Sequence, residues 1–205
     1  MSIEKSMAEA LKDFDFTMLY ENEKEAIIKV VSRRRTLLSS LGNGKVFKVA
    51  GFEFIKLGSG KDTTAAIMKN ILCDSEFGES NNYRLSKVRK LINEDFRSKI
   101  ESEIGENNLI NHRVDLTAND GLKEYGSVVD KVSLITADNY RRYREYLPGI
   151  DDWWWTATPF STKPNGYPSA TSYVGGSGTL NGCDCTFCGG VRPFCIFSSS
   201  IFVSF

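Results

Sequence analysis

Charge disappears from the last quarter of this chain. In the 50 residues from Thr156 to Phe205 only Lys163, Asp184 and Arg192 are ionic, whereas the preceding 155 residues hold the other 49 charged side chains. A segment so poor in charge is a poor candidate for a solvated tail. Val191, Ile196, Phe197, Ile201, Phe202 and Val203 are also too apolar for a flexible linker. Ser, Thr, Gly, Cys and aromatic residues take the place of the charges, a mixture that fits short strands joined by glycine-rich turns. Ser172-Tyr173-Val174, Gly175-Gly176-Ser177-Gly178 and Thr179-Leu180 read as strand, turn and strand.

Upstream, Ser6 and Glu9 have capping-box spacing, and Leu11, Phe14, Met18, Ile27, Ile28 and Val31 recur at helical intervals. Residues 1–41 are therefore predicted as one or two helices, with Arg33, Arg34 and Arg35 a solvated face. Leu41-Gly42-Asn43-Gly44 breaks the pattern, which sets a helical segment at 1–44 and a second domain at 45–205. Val46–Val49 and Phe52–Ile55 alternate about Ala50-Gly51 like a hairpin. Gly58-Ser59-Gly60-Lys61-Asp62 lacks Walker spacing and reads as another turn. Ala65–Leu72 fits strand or helix, whereas Leu85, Val88, Ile92, Phe96 and Ile100 define a helical face. Val132–Ile135 is a short strand, and Thr136 can cap a helix carrying Tyr140, Tyr143 and Leu147 that stops at Pro148-Gly149.

The 26 basic and 26 acidic side chains cancel, so no global field draws in nucleic acid or an anionic membrane. The opening MSIEKSMAEALKDF interrupts any apolar stretch with charge, and no segment reaches the roughly 20 apolar residues of a spanning helix. The expectation is a chain made in the cytoplasm without a signal peptide or membrane insertion. Five cysteines, an odd number, then read as reduced thiols rather than a disulfide framework.

Asp151-Asp152-Trp153-Trp154-Trp155-Thr156-Ala157-Thr158-Pro159 and the closing Gly189-Gly190-Val191-Arg192-Pro193 carry a resemblance. The chain resembles phage and prophage proteins of the DUF6273 type over roughly Lys45 to Phe205, with Gly51–Ile55, Leu85–Asn93 and Asp130–Leu134 in the family's order. It departs from the commoner Trp-Trp-Leu-Arg-Ser-Pro form at Thr156-Ala157-Thr158-Pro159. Similar architectures occur among the variable proteins of diversity-generating retroelements. The resemblance therefore implies an α+β, C-type-lectin-like domain that presents variable residues on a rigid scaffold, with its variable region at about 156–190.

Retroelement diversification randomises template adenines. An Asn codon can then become any codon ending in a pyrimidine, which never encodes Glu, Lys, Gln, Met or Trp. Before Thr156 the chain holds 14 Glu, 14 Lys, 4 Met and 3 Trp. The same rate would put roughly 11 of these in the last 50 residues, where Lys163 stands alone. An ordinary strand-rich domain of low charge also loses Glu and Lys, so the depletion supports diversification without requiring it.

Asn165, Tyr167, Ser169, Thr171, Tyr173, Asn181, Cys183, Asp184, Cys185, Thr186, Phe187 and Cys188 are the candidate ligand contacts, because they combine flat aromatic area with adaptable hydrogen bonds. Trp154, Trp155, Gly176, Gly178, Arg192 and Pro193 are the candidate scaffold. Three consecutive tryptophans on a strand cannot all face one way, so at least one should enter the core. Arg192 should satisfy buried backbone carbonyls or an acid. The expected partner is a protein or glycan receptor on a cell surface, met on a virion or a displayed host surface, and residues 1–44 are candidates for homo-oligomerisation.

Two other classes compete. Cys183, Cys185, Cys188 and Cys195 could form a zinc-stabilised structural site, although Cys183-Asp184-Cys185 is tighter than usual ligand spacing. A cysteine nucleophile would make the chain an enzyme, but His112, the sole histidine, reads as a polar loop residue. Cys73 reads as a core thiol. The absence of Glu-Pro-Asn and Gln-Pro-Asp triplets removes the usual signature of calcium-dependent sugar binding. Binding without catalysis, cofactor or metal is the leading expectation.

Overall fold

A computed structural model describes Tyr20 and residues 35–205. The predicted capping box at Ser6 and the apolar face from Leu11 to Val31 lie outside the described residues, as do Arg33 and Arg34. Arg35–Phe205 forms one compact unit, beginning ten residues before the boundary read at Lys45. The described part of the predicted helical segment, residues 36–41, contains no α-helix. Strand β1 (Thr36–Leu37) is followed by a 3-10 turn (Leu38–Ser40), and β1 pairs with β14 (Phe202–Val203). The Lys56 ammonium holds the turn in place by donating to the carbonyls of Leu38, Ser39 and Leu41.

Two five-stranded sheets dominate. The first is antiparallel, with strands β2 (Val46–Val49), β3 (Phe52–Ser59), β4 (Thr63–Met68), β13 (Pro193–Ser198) and β8 (Val132–Leu134) side by side in that order. The β2–β3 hairpin falls where the alternation placed it, with Ala50 at φ 51° and Gly51 at φ 79° in its two-residue turn. Such a turn needs positive φ at both central residues, which suits glycine and strains alanine. Gly60-Lys61-Asp62 likewise turns between β3 and β4, and Ala65–Met68 is strand.

Helices cover both faces. On one, a helical run of 18 residues joins α1 (Lys87–Leu91) to α2 (Arg97–Ile104) through Ile92–Phe96, with a kink at Glu94, whose φ −96° and ψ −110° leave helical geometry. Val88, Ile92, Phe96 and Ile100 are buried against Phe47, Phe54 and Phe197. A strict four-residue spacing creeps around an α-helix of 3.6 residues per turn, and the kink at Glu94 interrupts that creep midway along the face. Leu85 corrects the predicted face: it lies in the preceding 3-10 turn (Tyr83–Leu85), is 75% exposed, and leaves Tyr83 as the buried residue. On the other face, α3 (Ala137–Arg142) starts at Thr136, whose hydroxyl accepts from the Asn139 N–H as predicted. Tyr140 and Leu147 pack there with Ile55, Leu57 and Ile67.

The second sheet is mixed, in the order β11 (Leu180–Asp184), β10 (Ala170–Val174), β9 (Trp154–Pro159), β12 (Cys188–Val191), β5 (Cys73–Glu76). Here β12 runs parallel to β9 and antiparallel to β5. A small hairpin, β6 (His112–Asp115) with β7 (Ser127–Asp130), completes the unit. His112 is thus a strand residue rather than a loop residue. Its ring meets the Ser133 hydroxyl at 2.8 Å and Phe194 edge-on. The alpha and beta content is mixed and mostly sheet. Among the described residues no helix is long and apolar enough to cross a membrane.

Candidate ligand-binding end of the mixed sheet

Trp154 and Trp155 alternate on β9 and enter different halves of the core. Trp154 packs with Tyr140 and the Arg192 guanidinium, whose carbon lies 4.9 Å from the indole centroid. Trp155 is fully buried against Phe77 and donates its indole N–H to the Ser75 carbonyl. Trp153 is half-buried, edge-on to Trp155 and Tyr173. The glycine pair of the closing motif follows from this bulk. A Cβ at Gly189 would meet the Trp153 and Trp155 rings, and one at Gly190 would meet Ile71 and the Trp153 carbonyl. Only residues without side chains let β12 pass so close.

Strand connectivity sorts the candidate residues between the two ends of this sheet. The β10–β11 turn lies at one end, where Gly178 takes φ 83° and its carbonyl accepts from the Tyr140 hydroxyl. A Cβ at Gly176 would come within 3.0 Å of the Ile150 carbonyl oxygen. These glycines, with Arg192 and Pro193, pack as framework. The other end carries the β9–β10 loop, residues 160–169, beside the β11–β12 turn, residues 185–187, joined by a bond from the Cys185 N–H to the Ser169 carbonyl.

Asn165, Tyr167, Ser169, Asn181, Thr186, Phe187 and Cys188 are exposed at this end or along edge strand β11. Cys183 and Asp184 are half-buried on the same strand. The Asp184 carboxylate accepts from the Thr186 N–H and hydroxyl, which close the turn and hold its pKa below the usual carboxylate range. Two nominated contacts are not on this surface. Thr171 is fully buried, with its hydroxyl donating to the Thr158 carbonyl, and Cys185 is 1% exposed within the core. Tyr173 is half-buried beneath Trp153, in a supporting position. Strand pairing turns Thr171 inward and the β11–β12 turn tucks Cys185 into the core, distinctions that composition does not carry.

Four residues that the sequence reading passed over complete the end. Asn81 is fully buried, and its amide nitrogen lies 2.6–2.9 Å from the carbonyls of Ser161, Tyr167 and Ala170. Its N–H donates to the Pro168 carbonyl and its side-chain oxygen accepts from the Tyr125 hydroxyl. Asn81 therefore ties the β9–β10 loop to the core. Asn119, Asp120 and Phe160 line a cavity of about 450 Å³ together with Ser161, Asn165 and Tyr167. The Asp120 carboxylate accepts from the Ser161 hydroxyl, from Asn165 Nδ2 at 2.9 Å and from the Leu122 N–H at 3.2 Å. The Ser161 hydroxyl is the main cause that holds Asp120 below its ordinary pKa. A larger cleft of about 990 Å³ lies along α1 and touches the nominated residues only at Thr186. Within it Arg89 and Lys87 are already paired with Asp130 and Glu76.

The four cysteines of the zinc alternative are not assembled into a ligand set, and no group of three or more His, Cys, Asp or Glu among the described residues could hold a metal. Cys195 is buried on β13 in the antiparallel sheet. Cys73 is only half-buried, at the rim of the core rather than within it. Burial pushes the Cys185 thiol up to about 12 and also raises Cys73, Cys183 and Cys195, the opposite of what a nucleophilic thiolate requires. Cys188 is exposed. Iodoacetamide at neutral pH is expected to label Cys188 first, with Cys185 and Cys195 reacting only in denaturant. Peptide mass spectrometry reads the order, and rapid native labelling of Cys185 would contradict this burial.

Comparison with family models, with curated proteins and with solved structures found no match.

Proposed function

We propose that the chain is a ligand-binding, receptor-recognition protein of phage or prophage origin. Its ordered unit would be a C-type-lectin-like domain presenting a retroelement-diversified surface to a protein or glycan receptor on a cell. The N-terminal segment read at residues 1–44 would serve attachment or oligomerisation, on a virion or a displayed host surface. One observation carries this reading. Within 156–190, the exposed side chains Tyr167, Ser169, Asn181, Thr186, Phe187 and Cys188 gather on one end and its adjoining edge strand, whereas tightly packed or turn-forming Gly178, Gly189 and Gly190, with Trp155 just before the window, supply the frame. Surface variation and core integrity are thereby uncoupled, which a diversified binder requires.

Two measurements test it. Replacing Ser169, Asn181, Phe187 or Cys188 singly by alanine is expected to change stability by no more than about 0.5 kcal/mol, as for exposed surface positions. Thermal melts that show losses above about 2 kcal/mol at most of these sites would make them framework instead. In the flanking DNA, the reading expects a reverse-transcriptase gene and a near-copy of the codons for Trp153 to Pro193, differing only at template adenines. A complete genome without them sinks the diversification mechanism.

A further inference from the structure

The cavity bounded by Asn119, Asp120, Phe160, Ser161, Asn165 and Tyr167 has a chemistry of its own. Its charge is one-sided. Asp120 is ionised at neutral pH, has no Lys or Arg partner among the described residues, and faces a lining that contains no basic side chain. Its hydrogen-bonding groups are partly committed. The Ser161 hydroxyl and one N–H of the Asn165 amide are committed to Asp120, and an N–H of Asn119 is committed to the Ser172 hydroxyl at 2.6 Å. A free lone pair of the carboxylate and the two amide oxygens are left as acceptors, beside the second N–H of each amide and the Tyr167 hydroxyl as donors, so what sets the cavity apart is its negative charge.

Two rings complete the walls. Phe160 is 41% exposed and Tyr167 57% exposed, and neither stacks on another aromatic ring among the described residues. Phe160 is held by resting on Gly182, where a Cβ would collide with the ring. An uncompensated carboxylate beside free aromatic faces attracts a cation by both charge and ring quadrupole. We propose that this cavity receives one cationic side chain, the guanidinium of an arginine or the ammonium of a lysine, from a protein partner. This proposal rests on the binding reading above and selects a protein surface over a glycan. Sugar hydroxyls carry no charge to answer the unpaired Asp120 carboxylate, whereas guanidinium and ammonium groups bring a positive charge and donate only. It also divides the site by origin: Asp120 is an anchor outside the window 156–190, while Phe160, Asn165 and Tyr167 lie inside it and tune the fit.

The test is a titration of the isotope-labelled full chain followed by NMR. Probes are N-acetyl-arginine methylamide, its lysine and citrulline counterparts, and methyl glycosides. Both cationic amides are expected to shift the Asn165 side-chain amide and the Tyr167 backbone signal saturably, and more weakly in added salt. Citrulline, neutral but similar in shape, should bind roughly tenfold less tightly, as should the cationic amides to Asp120→Asn. Tyr167→Ser, which leaves the carboxylate in place, should weaken binding several-fold and covers the case in which Asp120→Asn disturbs the loop. Citrulline binding as well as arginine, a methyl glycoside saturating the same signals, or no shift with either cationic amide would each overturn the proposal. The binding reading survives a flat titration, since it falls only on the alanine series and the flanking DNA.

Discussion

Arg192→Met is expected to lower the stability of the Arg35–Phe205 unit by about 3–5 kcal/mol, a loss in the range for breaking a buried polar network. The reason lies where the two large sheets part. Strands β4 and β13 pair up to Ile67 and Phe194, and β5 and β12 pair from Cys73 and Val191 onward. Between them both chain segments leave one sheet for the other, and ladder bonding lapses at the Met68 and Lys69 carbonyls. Arg192 donates from Nε to Met68 at 2.7 Å and from Nη2 to Lys69 at 3.0 Å, with its plane set against Trp154. Methionine fills the space and strands both carbonyls away from water. Arg192→Lys should recover part of the loss, because an ammonium is a point donor without the planar fork.

Burial pushes the Arg192 guanidinium down to about 10, so the group keeps its charge throughout the neutral range. Folded and unfolded chains then bind the same proton there, and the effect of the substitution should not vary between pH 6 and pH 8. Through this group the parent's stability varies with pH only above about pH 10, where it rises because the unfolded chain still holds a proton that the folded one releases. Urea unfolding at pH 6 and pH 8 measures the loss and its independence of pH across the neutral range. A loss under about 1 kcal/mol would mean that water, not Arg192, satisfies the corner.

What could be read in advance follows from where the information sits. The β2–β3 and β10–β11 hairpins were legible because alternation and turn residues are local, and Arg192 because a lone cation in an apolar run must find acceptors. Leu85 was misread because a 3-10 turn precedes the helix and presents Tyr83 instead, a one-turn ambiguity that apolar spacing leaves open. Thr171 and Cys185 share the composition of a contact surface but point inward, and only pairing with β9 and packing beneath the loops decide that. Asp120 and Asn81 sit in segments that read as ordinary polar turns, Asn119-Asp120-Gly121 and Ser80-Asn81-Asn82. Their partners lie about 40 and 80 residues away in sequence, a separation at which local pattern says nothing.

Asn81→Leu is expected to cost about 3–4 kcal/mol and to loosen the β9–β10 loop end of the mixed sheet more than the rest of the unit. The amide has two hydrogens to share among the carbonyls of Ser161, Tyr167 and Ala170, and leucine leaves all three without that donor. It also takes the acceptor from the Tyr125 hydroxyl. The backbone bond from Asn81 to Pro168 persists, so the loop should fray rather than detach. Hydrogen exchange distinguishes this from a general core defect: amides from Ser161 to Ala170 should lose protection before those of β4 and β13. Asn81→Asp sharpens the argument, since it keeps an acceptor for Tyr125 but turns an oxygen toward carbonyl oxygens. If Asn81→Asp were milder than Asn81→Leu, donation to the loop would not be what holds it. If both variants lowered protection evenly across the unit, the loop would owe its shape to packing, and the cavity beside Asp120 would not depend on Asn81.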